Sequence, residues 1–221
     1  MTTEEKNVAF KYNARYYKSG FLNSATKQIW IVIHGYGQLA QYFIKKFQKL
    51  TEQNICVIAP EGLSRFYVSN LTDQGRADTK VGATWMTREN RLTDIDNYIT
   101  YLDTVYKNEL SAFKHVPVTL LGFSQGCATV CRWALSKNIH FDTLILWAGI
   151  FPPDLNFEEG TKVLMSKKTY VVIGDKDQFV TDERMKEFDD LALKLSIQPE
   201  KIVFSGRHEI NEEVLMGLVS I

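Results

Sequence analysis

The sequence predicts an α/β fold, a mostly parallel central sheet with helices on both faces. Three observations lead there. Short apolar runs alternate with longer stretches of helical character along most of the chain. The 221 residues are 45% hydrophobic and 24% charged, enough for a sizeable core and unlike a disordered chain. The two longest connections, 60–87 and 150–168, each follow an apolar run, so both should emerge at the carboxyl ends of strands, where open α/β sheets bind ligands. We expect a single domain over 1–221, with no separate cap, linker or internal repeat.

Val8 to Tyr17 alternates Val8, Phe10, Tyr12, Ala14 and Tyr16 and reads as an edge strand or hairpin. The strand runs that follow are Gln28 to Ile33, Ile55 to Ala59, Val118 to Leu121, Thr143 to Trp147, Thr169 to Ile173 and Lys201 to Phe204. Helical stretches between them are Leu39 to Thr51, Arg88 to Lys107, Gln125 to Lys137, Thr181 to Leu195 and Glu209 to Leu218. The long connections carry Phe66, Tyr67, Trp85 and Met86 in one, and Phe151, Pro152, Pro153, Leu155 and Phe157 in the other. They are the expected pocket walls, unless these aromatics merely form satellite core beneath the loops.

Charge and cysteine usage narrow the function classes. With 26 basic and 26 acidic residues the formal net charge is zero, and no basic patch marks a nucleic-acid partner. The polar start, Met1 to Lys6, lacks the apolar core of a secretory signal, and no apolar window approaches the length of a membrane span. Cys56, Cys127 and Cys131 show no metal-ligand spacing. These features read as a cytoplasmic protein with reduced thiols and no metal or organic cofactor.

The chemistry concentrates at Gly122-Phe123-Ser124-Gln125-Gly126. G-x-S-x-G between a strand and a helix is the nucleophile elbow of α/β hydrolases. A serine at so tight a turn has a strained backbone, and its neighbours two residues away must lack side chains that would collide. Its hydroxyl is then exposed above the sheet, at a helix N-terminus that favours developing negative charge. Ser124 needs a base, and the base needs an orienting acid, in the chain order serine, acid, histidine. Asp175 and Asp177 both follow the run ending at Ile173, and His208 follows the run ending at Phe204. His115 and His140 precede strands and belong to the opposite end of the sheet. An oxyanion hole completes the requirement. The backbone N–H of Gln125 is one donor, and the loop His34-Gly35-Tyr36-Gly37-Gln38 supplies the other, with His34 ordering the loop.

Taken together, the chain resembles the small carboxylesterase/phospholipase family of α/β hydrolases, which includes the acyl-protein thioesterases. The matching pieces are His34-Gly35-Tyr36-Gly37, Trp85 before the long helix, Gly122 to Gly126, Gly174-x-x-Asp177-x-x-Val180 and His208-Glu209. The resemblance implies that Asp177 is the acid and Asp175 part of the turn, and that Tyr36 provides the second oxyanion N–H. Cys127 stands where the family commonly has a second glycine, and Arg207 where it has a small residue. The expected activity is cofactor-independent hydrolysis of a small ester or thioester through an acyl-enzyme. Trp85, Phe151 and Arg207 are candidates for substrate contact, and Arg207 would favour substrates with a carboxylate. Lactone or peptide cleavage by the same triad, and a hydrolase-fold binding module without catalysis, are the alternatives.

Overall fold

Why the chain forms one extended sheet is visible in its interior strands, which bury nearly every residue. The computed structural model describes residues 2–68 and 80–220. Its strands are β1 (Tyr16–Ser19), β2 (Gln28–Ile33), β3 (Ile55–Pro60), β4 (Ser64–Tyr67), β5 (Val81–Thr84), β6 (Val118–Phe123), β7 (Thr143–Trp147), β8 (Lys168–Gly174) and β9 (Glu200–Phe204). Seven pair in the order β1-β3-β2-β6-β7-β8-β9, with only β1 antiparallel to its neighbour. β4 and β5 form a separate antiparallel pair.

Alternation along each strand sends side chains to two cores. Ile29, Ile31 and Ile33 of β2 join one, and Trp30 and Val32 join the other. The first core packs under α3 (Arg91–Leu110), α4 (Gln125–Ala134), α5 (Phe157–Leu164) and α6 (Asp182–Lys194). The second packs under α1 (Ala40–Phe43), the 3-10 turn Ile44–Phe47, α2 (Gln48–Thr51) and α7 (Glu212–Gly217). This is the α/β-hydrolase arrangement. Among the described residues no helix is long and apolar enough to cross a membrane.

Register aligns the carboxyl ends of the central strands. Ile33 pairs with Gly122, Phe123 with Trp147, Trp147 with Val172, and Gly174 with Phe204. The ladder then runs past the strands: Ser124 N–H donates to Trp147 O at 2.9 Å, Ala148 N–H to Val172 O at 2.8 Å, and Asp175 N–H to Phe204 O at 2.9 Å. The loops carrying Ser124, Asp175–Asp177 and His208 are therefore fastened to one another along one edge.

Several expectations are corrected. The alternating N-terminal segment does not form a strand before Tyr16; Val8 and Phe10 are exposed with no neighbouring strand to cover them. The helix expected over 39–51 is broken into two single turns and a 3-10 turn. The 150–168 connection contains α5, capped by Asn156, whose side chain accepts from Glu159 N–H. The 60–87 connection contains the β4–β5 pair, and its residues 69–79 lie outside the described residues.

Candidate active site

Ser124 occupies the turn between β6 and α4 with φ 54° and ψ −117°, a conformation that costs about 1–3 kcal/mol in an L-residue. The flanking glycines are required by contact. A Cβ on Gly122 would lie 2.4 Å from Gly126 O, and one on Gly126 would lie 2.2 Å from Ile33 O. The elbow is thus wedged against the end of β2. Cys127 fills the space beneath it, its thiol donating to Gly122 O at 3.1 Å. Burial pushes that thiol up to about 12, so it stays protonated and unreactive.

On the neighbouring loops, His208 Nδ1–H donates to Asp177 Oδ2 at 2.7 Å. The other carboxylate oxygen accepts from Phe179 N–H at 2.9 Å, and the Asp177 carboxylate is fully buried. Acceptance by a carboxylate assigns the proton to Nδ1 and leaves Nε2 with its lone pair. Phe123 and Phe179 hold the imidazole between them, with ring centroids 4.9 and 4.8 Å away. Phe123 directly precedes Ser124, so the imidazole and the elbow share a wall. No hydrogen bond joins the Ser124 hydroxyl to His208 among the described residues; such bonds often tighten only when substrate is bound.

Asp175 has a different task. Its Oδ1 accepts from Gly206 N–H at 3.0 Å, and Lys176 N–H donates to Gly206 O at 2.9 Å. These bonds staple the loop after β8 to the loop carrying His208. Trp147 adds another tie, donating its indole N–H to Glu209 O at 2.8 Å.

The loop after β2 approaches the elbow from the other side. A Cβ on Gly35 would lie 3.1 Å from Ser124 Cβ. Within this loop Gly35 N–H donates to the Gln38 side chain and Gly37 N–H to Ala83 O. Among the described residues no acceptor takes the N–H of Tyr36, or that of Gln125 at the first position of α4. Both N–H groups are therefore unpaired among the described residues.

His34 is buried and neutral. Burial lowers its pKa, its Nδ1–H donates to Gly35 O at 2.8 Å, and its Nε2 accepts from Gly62 N–H at 2.9 Å. The next residue back, Glu61, is also buried and accepts from Arg15, Arg65 and Ala40 N–H. Burial alone would raise its pKa, but the two guanidinium groups hold the carboxylate below its ordinary value. Sequence reasoning missed this node because its partners come from three separate segments. It also missed the side chain of Gln125, whose Oε1 accepts from Trp85 N–H at 3.3 Å and whose Nε2 donates to Met86 O at 3.0 Å. The residue after the serine thereby ties the elbow to the end of β5.

A cavity of about 530 Å³ opens beside Ser124, walled by Gly149, Phe151, Pro152, Phe179 and Val180. Phe151 is a wall residue, buried and stacked on Phe188 at 5.5 Å. Trp85 is not: it is 2% exposed, packs at a tilt against the His34 ring and donates its indole N–H to His34 O. Its bulk and its one polar atom are both consumed in ordering the loop after β2. Arg207 is exposed and outside the cavity wall. Among the described residues no cluster of three His, Cys, Asp or Glu could hold a metal.

Comparisons with known proteins agree with this arrangement. The sequence model of the family described as "Serine hydrolase (FSH1)" matches residues 24–213. No curated protein matches the sequence. Acyl-protein thioesterase 2 of Zea mays is similar in structure, with TM-score 0.69, 15% identity, and coverage of 94% of this chain and 99% of that one. Esterase PE8 has TM-score 0.66 and 18% identity, covering 94% and 96% of the two chains. A thermostable carboxyl esterase from Bacillus coagulans has TM-score 0.65 and 16% identity, covering 94% and 92%. At these identities the likeness concerns the fold.

Proposed function

Because the chain belongs to the FSH1 serine hydrolase family, we propose that it hydrolyses a small carboxylic ester or thioester through an acyl-enzyme on Ser124. The observation that carries this reading is the His208–Asp177 pair, fastened to the same sheet edge as a strained serine at a helix N-terminus. His208 Nε2 takes the hydroxyl proton as Ser124 Oγ bonds to the acyl carbon. The carbonyl oxygen becomes an oxyanion, met by the N–H groups of Tyr36 and Gln125. Asp177 stabilises the imidazolium and keeps the proton on Nδ1. The imidazolium then protonates the leaving alcohol or thiol, the carbonyl re-forms, and an acyl-Ser124 ester remains. Water, deprotonated by His208, repeats the sequence and releases the acid. We read the whole chain as one catalytic unit acting on a small molecule. An inactive binding module would have no reason to retain the serine, acid and histidine together.

An acyl-enzyme makes a specific prediction for product partitioning. With methanol present, p-nitrophenyl butyrate and phenyl butyrate should give the same ratio of methyl butyrate to butyrate, since both pass through one intermediate. A ratio that changes with the leaving group would show that water attacks the ester directly.

A further inference from the structure

The wall of the cavity beside Ser124 is mixed, with apolar side chains and two guanidinium groups. Arg132 follows Gln125 and Ala128 along one face of α4, and Arg184 comes from the first turn of α6. The two are not equivalent. Arg132 is nearly buried and gives two hydrogen bonds to Asp154, at 2.7 and 3.3 Å, with Arg91 on the same carboxylate. Its charge is already answered. Arg184 is half-exposed, and one guanidinium nitrogen meets Glu187 Oε2 at 3.1 Å. Glu187 also faces the cavity and is the one carboxylate among its wall residues.

Arg184 lines the same cavity as Ser124. Ile150, Phe151, Phe179 and Val180 share that wall, surfaces suited to methylene groups. A guanidinium with donors to spare, in a wall that also carries apolar side chains, matches a carboxylate on a short aliphatic spacer.

We propose that this cavity selects esters or thioesters that carry a carboxylate a few carbons from the scissile bond, with Arg184 receiving that carboxylate in place of Glu187. The inference rests on the reading of Ser124 as the nucleophile and adds the substrate class. The carboxylate can belong to the acyl group or to the leaving group, and the two cases are separable.

Two matched pairs of substrates test it: p-nitrophenyl butyrate against mono-p-nitrophenyl glutarate, and phenyl butyrate against 4-(butyryloxy)benzoate. The quantity read is the ratio of kcat/KM, acid-bearing over neutral, within each pair. In Arg184→Gln the ratio should fall roughly tenfold in one pair, the expected loss of a charge-assisted contact at a half-exposed site. In Glu187→Gln the same ratio should rise, because the competing carboxylate is gone. Salt should shrink the wild-type ratio and leave the Arg184→Gln ratio nearly constant. Ratios that do not respond to Arg184→Gln in either pair overturn the proposal, as does a fall in Glu187→Gln. Turnover of the neutral esters by the wild-type protein reports separately on Ser124 chemistry, so failure of the substrate class is distinguishable from failure of the hydrolase reading.

Discussion

Ser124→Ala should lower kcat for a short p-nitrophenyl ester by about a millionfold, with the thermal midpoint nearly unchanged. The chemical half of that expectation follows from covalency: alanine has no atom that can bond to the acyl carbon. Whatever turnover persists comes from binding and the free N–H groups of Tyr36 and Gln125. The structural half follows from what the hydroxyl does in the resting protein. It makes no hydrogen bond among the described residues, so its removal leaves no buried partner unsatisfied. Alanine keeps the Cβ, so the strain at φ 54° is neither relieved nor increased. Steady-state kinetics with a thermal melt of the same sample check both halves. A variant that is folded and still active would remove Ser124 from the mechanism.

Asp177→Asn should lower kcat by about ten-thousandfold, whereas Asp175→Asn should cost only a few-fold. The two aspartates are two residues apart, and their different surroundings make the contrast. Asp177 accepts on both oxygens, from Phe179 N–H and from His208 Nδ1–H. An asparagine there keeps its carbonyl on the Phe179 N–H and must turn its NH2 toward the imidazole. Nδ1 then becomes an acceptor and the proton moves to Nε2, the atom that has to accept from Ser124. The imidazolium also loses its buried counter-charge. Among the described residues Asp175 accepts only from Gly206 N–H, and an amide oxygen can do the same. Parallel kcat measurements on the two variants check the assignment; equal losses, or a larger one at Asp175, would reverse it.

The sheet was legible because its interior strands are buried on both faces and read as continuous apolar runs, Ile29 to Ile33 most plainly. The N-terminal segment deceived for the same reason that it is exposed: alternation records a strand's two faces only when a neighbour pairs with it. α5 was hidden by Pro152, Pro153 and Gly160, although Asn156 followed by Glu158 and Glu159 is a start signal for a helix. At the site, Asp177 and Asp175 share one strand end, and only the family resemblance separated them. Ser124 and His208 were accessible because position at a strand end is a sequence property. Side-chain direction is not. Trp85 turns into the core because His34 O offers its indole N–H a partner there. Arg184 enters the cavity wall only through the packing of α6 beside α4, on which local pattern is silent.

The measurement that bears most directly on the account is labelling of the purified protein with a fluorophosphonate, followed by peptide mass mapping. One phosphonyl group per chain is expected, on the peptide containing Ser124, formed at a rate that Asp177→Asn sharply reduces. Modification of a different serine, or a folded protein that excludes a small probe from Ser124 altogether, would contradict it.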